Sequence, residues 1–415
     1  MAQVIPFRAI RPHRNKVSLV GSRSYINYSE KDFQIKLAAN PYTFLHIITP
    51  TYGLHDHGEL SMKERYKEVR SRFEDFKDKG IFQRDEQPNY YVYEQIKHNG
   101  QSFIGVIAGV SIEDFNEGHV KKHENTLTKR EAVFANYLRE TKINAEPVLL
   151  TYKHQDVIDE ILVRYSQTRP EYEFSTTDKT VHNLWLISSP HDMDHMSEAF
   201  THVPDMYIAD GHHRCASSAR LSNDLTDHYG TEHGEAYDFF MAYLISDHQL
   251  NILPFNRLVS GLNGLSTDEL LEKISEKFTV EKLARRSKPK QKHHMHMCLD
   301  NAWYKLILNE NLINENDTIS QLDSHQLSET ILGPILGIED IKTDSRVHFY
   351  AGDKGLKGMQ KMVKKGTADV AFALYPVEVE QLIDISDQGL IMPPKSTWIE
   401  PKLRSGLTIY SIFDK

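Results

Sequence analysis

Apolar residues recur at helical spacing early in the chain. Tyr66, Val69, Phe73 and Phe76 follow a Ser61–Glu64 capping box and stop at Gly80, which predicts one amphipathic helix. The period then switches. Tyr90-Tyr91-Val92-Tyr93 and Phe103-Ile104-Gly105-Val106-Ile107-Ala108 read as two strands that turn at His98-Asn99-Gly100. Thr128 to Glu131 has the form of a second capping box, and the helix behind it carries Val133, Phe134, Tyr137 and Leu138 on its apolar side. Apolar runs at Pro147–Tyr152, Leu184–Ile187 and Tyr207–Ala209 predict further strands, and His191-Asp192 opens a helix with Asp192 as its cap.

The texture changes past Asn263-Gly264. Ser266-Thr267-Asp268-Glu269 caps a helix reaching about Phe278, and Arg285–Lys292 is a basic surface loop. His294, His296 and Cys298 alternate with Met295, Met297 and Leu299 up to the Asp300-Asn301 turn and Trp303–Leu308, which predicts a hairpin. Two of the histidines His293, His294 and His296 then share a face, and a surface strand suits them better than a metal site. The remainder predicts helices near Gln321–Leu332, Leu356–Lys365 and Glu378–Ile385, a strand at Val370–Tyr375 and a final strand at Leu407–Phe413. Alternating strands and helices make the fold class mixed α/β. The division expected is a core domain over residues 1–260 and a second α+β domain over 261–415.

Composition narrows the function classes. The chain has 415 residues, 40% hydrophobic and 26% charged, which is the profile of a soluble globular protein with two domains or one elaborated unit. Its net charge of −9 disfavours nucleic-acid wrapping as the main task. Cys215 and Cys298 are too few for a disulfide framework or a cysteine-based zinc site. No apolar run approaches the ~20 residues that span a bilayer. The N-terminal Met1–Arg8 lacks the apolar core of a signal peptide, so a cytoplasmic location is expected. A homo-oligomer is compatible with all of this.

The densest chemistry is Asp210-Gly211-His212-His213-Arg214. It follows the apolar run Tyr207–Ala209 and precedes the small-residue stretch Ala216–Leu221, so a strand, a glycine turn and a helix start meet there. Backbone N–H groups and the positive end of the helix dipole then converge on one spot, which suits an anion and phosphate above all. Arg214 adds a planar fork for phosphate oxygens, and a neutral histidine can move a proton near neutral pH. The plain alternative is a tight turn with Asp210 as cap and surface histidines. Four functional side chains around one glycine favour the anion site. A metal held by His212 and His213 is less favoured, because adjacent residues seldom aim both rings at one ion.

Two more loops hold candidate chemistry. His123-Glu124-Asn125-Thr126 offers a base or ligand pair in His123 and Glu124, and a hydroxyl in Thr126 beside a helix start; Lys121, Lys122, Lys129 and Arg130 add positive charge. The alternative is a solvated polar loop. Lys395-Ser396-Thr397 lies between Pro393-Pro394 and Pro401, which stiffen a loop suited to phosphate or nucleotide contact. Thr51-Tyr52-Gly53 with His55-Asp56-His57 reads as a plain polar loop.

Several stretches in order resemble the DUF1015 family of domains of unknown function. They are Pro6-Phe7-Arg8-Ala9, Asn40–His46, His123-Glu124-Asn125-Thr126, Ala209–Arg214, Leu253–Leu258 and Pro394-Lys395-Ser396-Thr397. Thr43 stands where the family more usually has serine, and Asn256 where histidine is expected. The Gly211-x-x-Arg214 turn is also similar to the phosphate-binding turn of the ParB/sulfiredoxin-like superfamily, which includes free-serine kinases, a nucleotide-hydrolysing partition protein and a sulfinic-acid reductase.

These resemblances imply a ParB/sulfiredoxin-like nucleotide-binding core with additional α+β elements. They imply that Gly211 and Arg214 hold phosphates with His212 and His213 against them, and that Glu124, or else Asp210, takes a proton from an acceptor hydroxyl. Thr126, Lys395, Ser396 and Thr397 would join the same pocket. The function implied is an ATP- or ADP-dependent phosphotransferase with Mg²⁺, acting on a small hydroxylated metabolite, free serine first among them. Phosphoserine hydrolysis would use much of the same equipment. Two other classes stand as rivals: a partition-type protein associated with DNA, and a metal-dependent hydrolase using His123, Glu124 and His212 or His213.

Overall fold

Strands rich in β-branched and aromatic residues are buried on both faces, as Val148–Tyr152 and Phe239–Ser246 are at every position. The computed structural model describes residues 2–24, 28–48, 61–229 and 235–414, so the His55-Asp56-His57 loop lies outside the described residues. The chain divides into two units. The first comprises Met1–Lys121, Asn125–Leu250 and Pro401–Lys415, and the second Lys122–Glu124 and Asn251–Glu400. The architecture is mixed α/β.

In the first unit the main sheet runs Val120–Lys121, Met206–Asp210, Val148–Tyr152, Phe239–Ser246, Ser102–Ser111, Tyr90–Ile96, Val181–Ile187 and Tyr172–Ser175, with Val4–Ile5 added to Ser102–Ser111. Tyr90–Ile96 and Ser102–Ser111 form the expected hairpin, Tyr91 opposite Ile107 and Tyr93 opposite Gly105. The sheet is mixed: Met206–Asp210 runs parallel to Val120–Lys121, and Phe239–Ser246 parallel to Val148–Tyr152. One face buries Val106, Leu150, Ile208 and Leu244 under Ile158, Leu162, Met196 and Phe200 from the helices Asp156–Ser166 and Pro190–Thr201. Each such side chain contributes roughly 1.5–3 kcal/mol of burial. Cys215 and Ala219, from the helix His212–Tyr229, enter the same core.

The helix Met62–Asp78 starts at the Ser61 box with Glu64 reciprocating, and buries Tyr66, Val69, Phe73 and Phe76 as their spacing predicts. The Thr128 box is corrected. Thr128 is the first helical residue of Thr128–Thr141, Leu127 is the N-cap, and Glu131 instead accepts the Thr126 hydroxyl. Asp192 likewise is no cap. Ser189 takes that position with Pro190 at the first turn, and buried Asp192 accepts from Arg164 at 2.8 Å and Tyr165 at 2.8 Å. The expected final strand shortens to Tyr410–Ser411, paired antiparallel with Ile143–Asn144.

The second unit is built on an antiparallel sheet in the order Phe278–Leu283, Ala302–Leu308, His294–Leu299, Val370–Ala373, Asn251–Val259 and Val347–Ala351. The Ser266–Glu269 box caps Thr267–Ser275, which buries Leu270 and Ile274. The hairpin of His294–Leu299 and Ala302–Leu308 forms as the alternation predicts. Asp323–Leu327 is α-helical and continues as a π-helical turn over Ser328–Leu332. Thr397–Glu400, read from sequence as part of a stiff loop, is a strand against Asn251–Pro254.

Candidate functional site

The strand Met206–Asp210 ends in a register shift. Ile208 pairs with Leu150 but Asp210 with Leu149, so Ala209 is the bulged residue. A bulge bends the strand and redirects the next side chain. Gly211 then takes φ +106°, a conformation few other residues adopt. The helix follows at His212, its first intrahelical bond running from the Cys215 N–H to the Gly211 carbonyl at 3.0 Å. The amides of residues 212 to 214 precede that bond and present their N–H groups at the positive end of the helix dipole.

Arg214 folds back over this turn. Its Nη1 is 2.8 Å from the Glu146 carboxylate and donates to the Pro147 carbonyl at 2.6 Å, while Nη2 stands 3.5 Å from Asp210. Lys402 approaches the same Asp210 oxygen at 3.6 Å, and the Ser405 hydroxyl donates to Glu146 at 3.1 Å. Asp210 keeps 42% of its side chain exposed, against 22% for Arg214. Acidic and basic groups therefore alternate around the turn, with the Asp210 carboxylate the most open of them.

His212 is buried and His213 half-buried. Burial, and then nearby Arg130, hold His213 below the ordinary imidazole range, with Glu131 opposing them. A neutral ring at neutral pH can accept a proton. The Ser217 hydroxyl donates to the His213 carbonyl and Ser218 to that of Arg214, while Ser217, Ser218 and Ala219 pack out of solvent. The small residues after the turn thus serve close packing.

Thr126 belongs to the same unit as the turn, where its hydroxyl is engaged by Glu131. His123 and Glu124 fall in the second unit; His123 is buried, and its carbonyl accepts from the Met392 N–H at 2.9 Å. Lys395, Ser396 and Thr397 are also in that unit. Lys395 has φ +56°, and its ammonium lies 5.5 Å from the Phe255 ring centre. Ser396 is buried, donates to the Pro393 carbonyl at 2.8 Å and meets the Ser324 hydroxyl at 2.9 Å. Buried Arg257 holds this segment by donating to the Pro394 and Lys395 carbonyls at 3.3 and 3.1 Å. Its charge is disfavoured by burial, which lowers it to about 9. Among the described residues no group of three His, Cys, Asp or Glu side chains is placed to hold a metal ion.

Sequence reasoning missed Glu146 and Pro147 as partners of Arg214, and the bulge at Ala209. It also missed Asp323, a fully buried carboxyl in the second unit. An acidic residue beside a proline at a strand start was the one signal for Glu146.

The chain belongs to the DUF1015 family, described as proteins of unknown function, whose model matches residues 4–325. No curated protein matches it in sequence. Among solved structures it is similar to a free serine kinase in complex with AMP, at 11% identity and TM-score 0.36, covering 73% of this chain and 91% of that one. It is similar also to SbnI with C-terminal truncation from Staphylococcus aureus, at 12% identity and TM-score 0.39, covering 73% and 87%. A conserved hypothetical protein from Pyrococcus furiosus matches at 12% identity and TM-score 0.34, covering 73% and 94%. At these TM-scores the likenesses carry no argument about this chain. No described helix is long and apolar enough to cross a membrane.

Proposed function

We propose that this protein is a nucleotide-dependent phosphotransferase working at the Asp210–Arg214 turn, with ATP or ADP as donor and a small hydroxylated metabolite such as free serine as acceptor. The observation that carries the reading is local: a bulged strand end, a glycine at φ +106° and a helix start bring backbone amides and the Arg214 guanidinium to one point. Phosphoryl transfer asks for positioning and charge neutralisation more than for covalent chemistry by the protein. The amides of residues 212 to 214 meet phosphate oxygens, and Arg214 adds the donors that Glu146 and Pro147 leave unused.

Asp210, the most open carboxylate at the turn, accepts the proton of the acceptor hydroxyl. The acceptor oxygen bonds to phosphorus as the bond to the leaving nucleotide oxygen breaks. Neutral His213 is a second proton acceptor. The oxygen donors at the turn, Asp210 and Glu146, suit magnesium, which takes one or two carboxylates beside substrate phosphates. Bound there, it would neutralise charge on those phosphates.

The test pairs binding with turnover. Arg214→Ala, and Arg214→Lys as the conservative control, are titrated with ATP and ADP beside a denaturation curve. Loss of binding in the alanine variant with the fold intact is expected. An Arg214→Ala protein that unfolds normally and binds both nucleotides as tightly as the parent removes the assignment. A phosphorus-NMR screen of ATP and ADP against amino acids, sugars and polyols then identifies the acceptor.

A further inference from the structure

The helix Pro190–Thr201 buries Met196, Ala199 and Phe200 in the core of the first unit and leaves His191 and His195 in solvent. His191 keeps 73% of its side chain exposed. Four residues apart on a helix, the two histidines lie one turn from each other on the same face. Their rings already meet, with centres 4.0 Å apart and planes at 55°. Two imidazoles at this spacing are how a helix offers two nitrogens to one cation. The core contacts fix the helix, and Pro190 presets the backbone just before His191.

A second observation gives one ring its direction. His191 Nδ1 stands 3.4 Å from the Asp192 carboxylate. Asp192 is itself buried and held, accepting from Arg164 and Tyr165 at 2.8 Å each. A carboxylate at one ring nitrogen keeps the proton there and leaves the Nε2 lone pair for a metal, and ligating histidines almost always have such a partner. Asp194 and Glu198, exposed at three and seven residues beyond His191, put negative charge on the same face. No group of three ligands is placed for a metal among the described residues, so water completes the coordination. Imidazole donors suit zinc, nickel and copper, whereas Mg²⁺ takes oxygen.

We propose that His191 and His195 form a two-histidine chelate for a first-row divalent cation of the zinc, nickel and copper class, with Asp192 orienting the His191 ring. The site needs neither nucleotide nor Mg²⁺, so it stands apart from the phosphotransfer reading. The chain has 22 histidines, which give a background of weak single-ring binding. Against that background a chelate shows as one tighter, stoichiometric site. Calorimetric titration of the full untagged chain with nickel chloride, in excess magnesium and without nucleotide, should reveal it. His191→Gln and His195→Gln, both at exposed positions, should unfold like the parent and each lose the site, weakening the tightest binding at least about tenfold. The double variant should bind no more weakly than either single one, because a chelate is lost only once. A parent with no such site overturns the proposal, as does parent-like nickel binding in either folded single variant. So do losses that add in the double variant, since the two rings would then bind separately.

Discussion

Arg214 lies over Gly211 so closely that a β-carbon at position 211 would stand 2.9 Å from its Nε and 2.9 Å from Nη2. The missing side chain is what allows the guanidinium to sit across the turn and reach Glu146, Pro147 and Asp210. Gly211→Ala must therefore strain a backbone at φ +106° and displace Arg214 as well. A destabilisation of about 1–3 kcal/mol is expected in a urea titration, together with loss of nucleotide binding. A variant with parent-like stability and affinity would show that the close approach is incidental.

Glu146 competes with any anion for Arg214. Replacing it by glutamine keeps a hydrogen-bond acceptor for the guanidinium but removes the opposing charge. With magnesium left out, Glu146→Gln is expected to tighten ATP binding by about 1 kcal/mol, a several-fold drop in Kd, and to steepen its dependence on salt. Titrations at two ionic strengths check this. Weaker binding in the variant would mean that Glu146 holds Arg214 in place for its ligand.

The legible parts of this chain are those whose cause lies within a few residues. Ser61 with Glu64 and Ser266 with Glu269 form boxes because each partner is three residues away, and the Tyr90–Ser111 hairpin follows from its own alternation and turn. The same pattern at Thr128 and Glu131 misleads, since Thr126 draws the Glu131 carboxylate away. The Asp210–Arg214 turn was visible as a strand-to-helix junction. Its partners Glu146, Lys402 and Ser405 were not, because distant segments bring them there and their charges have no local period. Asp323 was read as part of a helix; only the tertiary fold reveals that its carboxyl is buried on two backbone amides.

His182 provides a pH test of the first unit. Its ring lies between Tyr93, 2.8 Å from Nδ1, and Thr176, 3.2 Å from Nε2. Burial, and then Arg404, push it down from 6.5 to about 3, against Asp178. Between those values the unfolded chain takes a proton that the folded one refuses, so stability falls as pH drops below 6.5. By about two pH units lower the loss approaches ~3 kcal/mol. His182→Gln should escape it, gaining on the parent by that amount between neutral and mildly acid urea titrations. Parallel curves would rule out a neutral buried ring.

Asp323 has the opposite sign. Raised from 3.8 to about 7 by burial, against the His293 and Tyr375 amides, it keeps its proton in the fold after the unfolded chain has lost it. Stability should then decline as pH rises through that window, by up to about 4 kcal/mol. Asp323→Asn removes the decline, so its stability relative to the parent should improve from pH 4 to pH 8, whatever the amide costs at a single pH. A difference that stays constant with pH would show that the carboxyl is ionised throughout.

The chain returns to its first unit at Pro401, so the sequence of the second unit lies inside that of the first. Tyr410–Ser411 pairs with Ile143–Asn144, Arg404 with Asp178 at 2.7 Å, Ser405 with Glu146 and Lys402 with Asp210. The first unit is begun before the second and completed after it, whereas the sheet strands from Asn251 to Ala373 can pair before residues 401–414 are made. A nascent chain stalled at residue 400 would carry a nearly whole second unit and an unfinished first one.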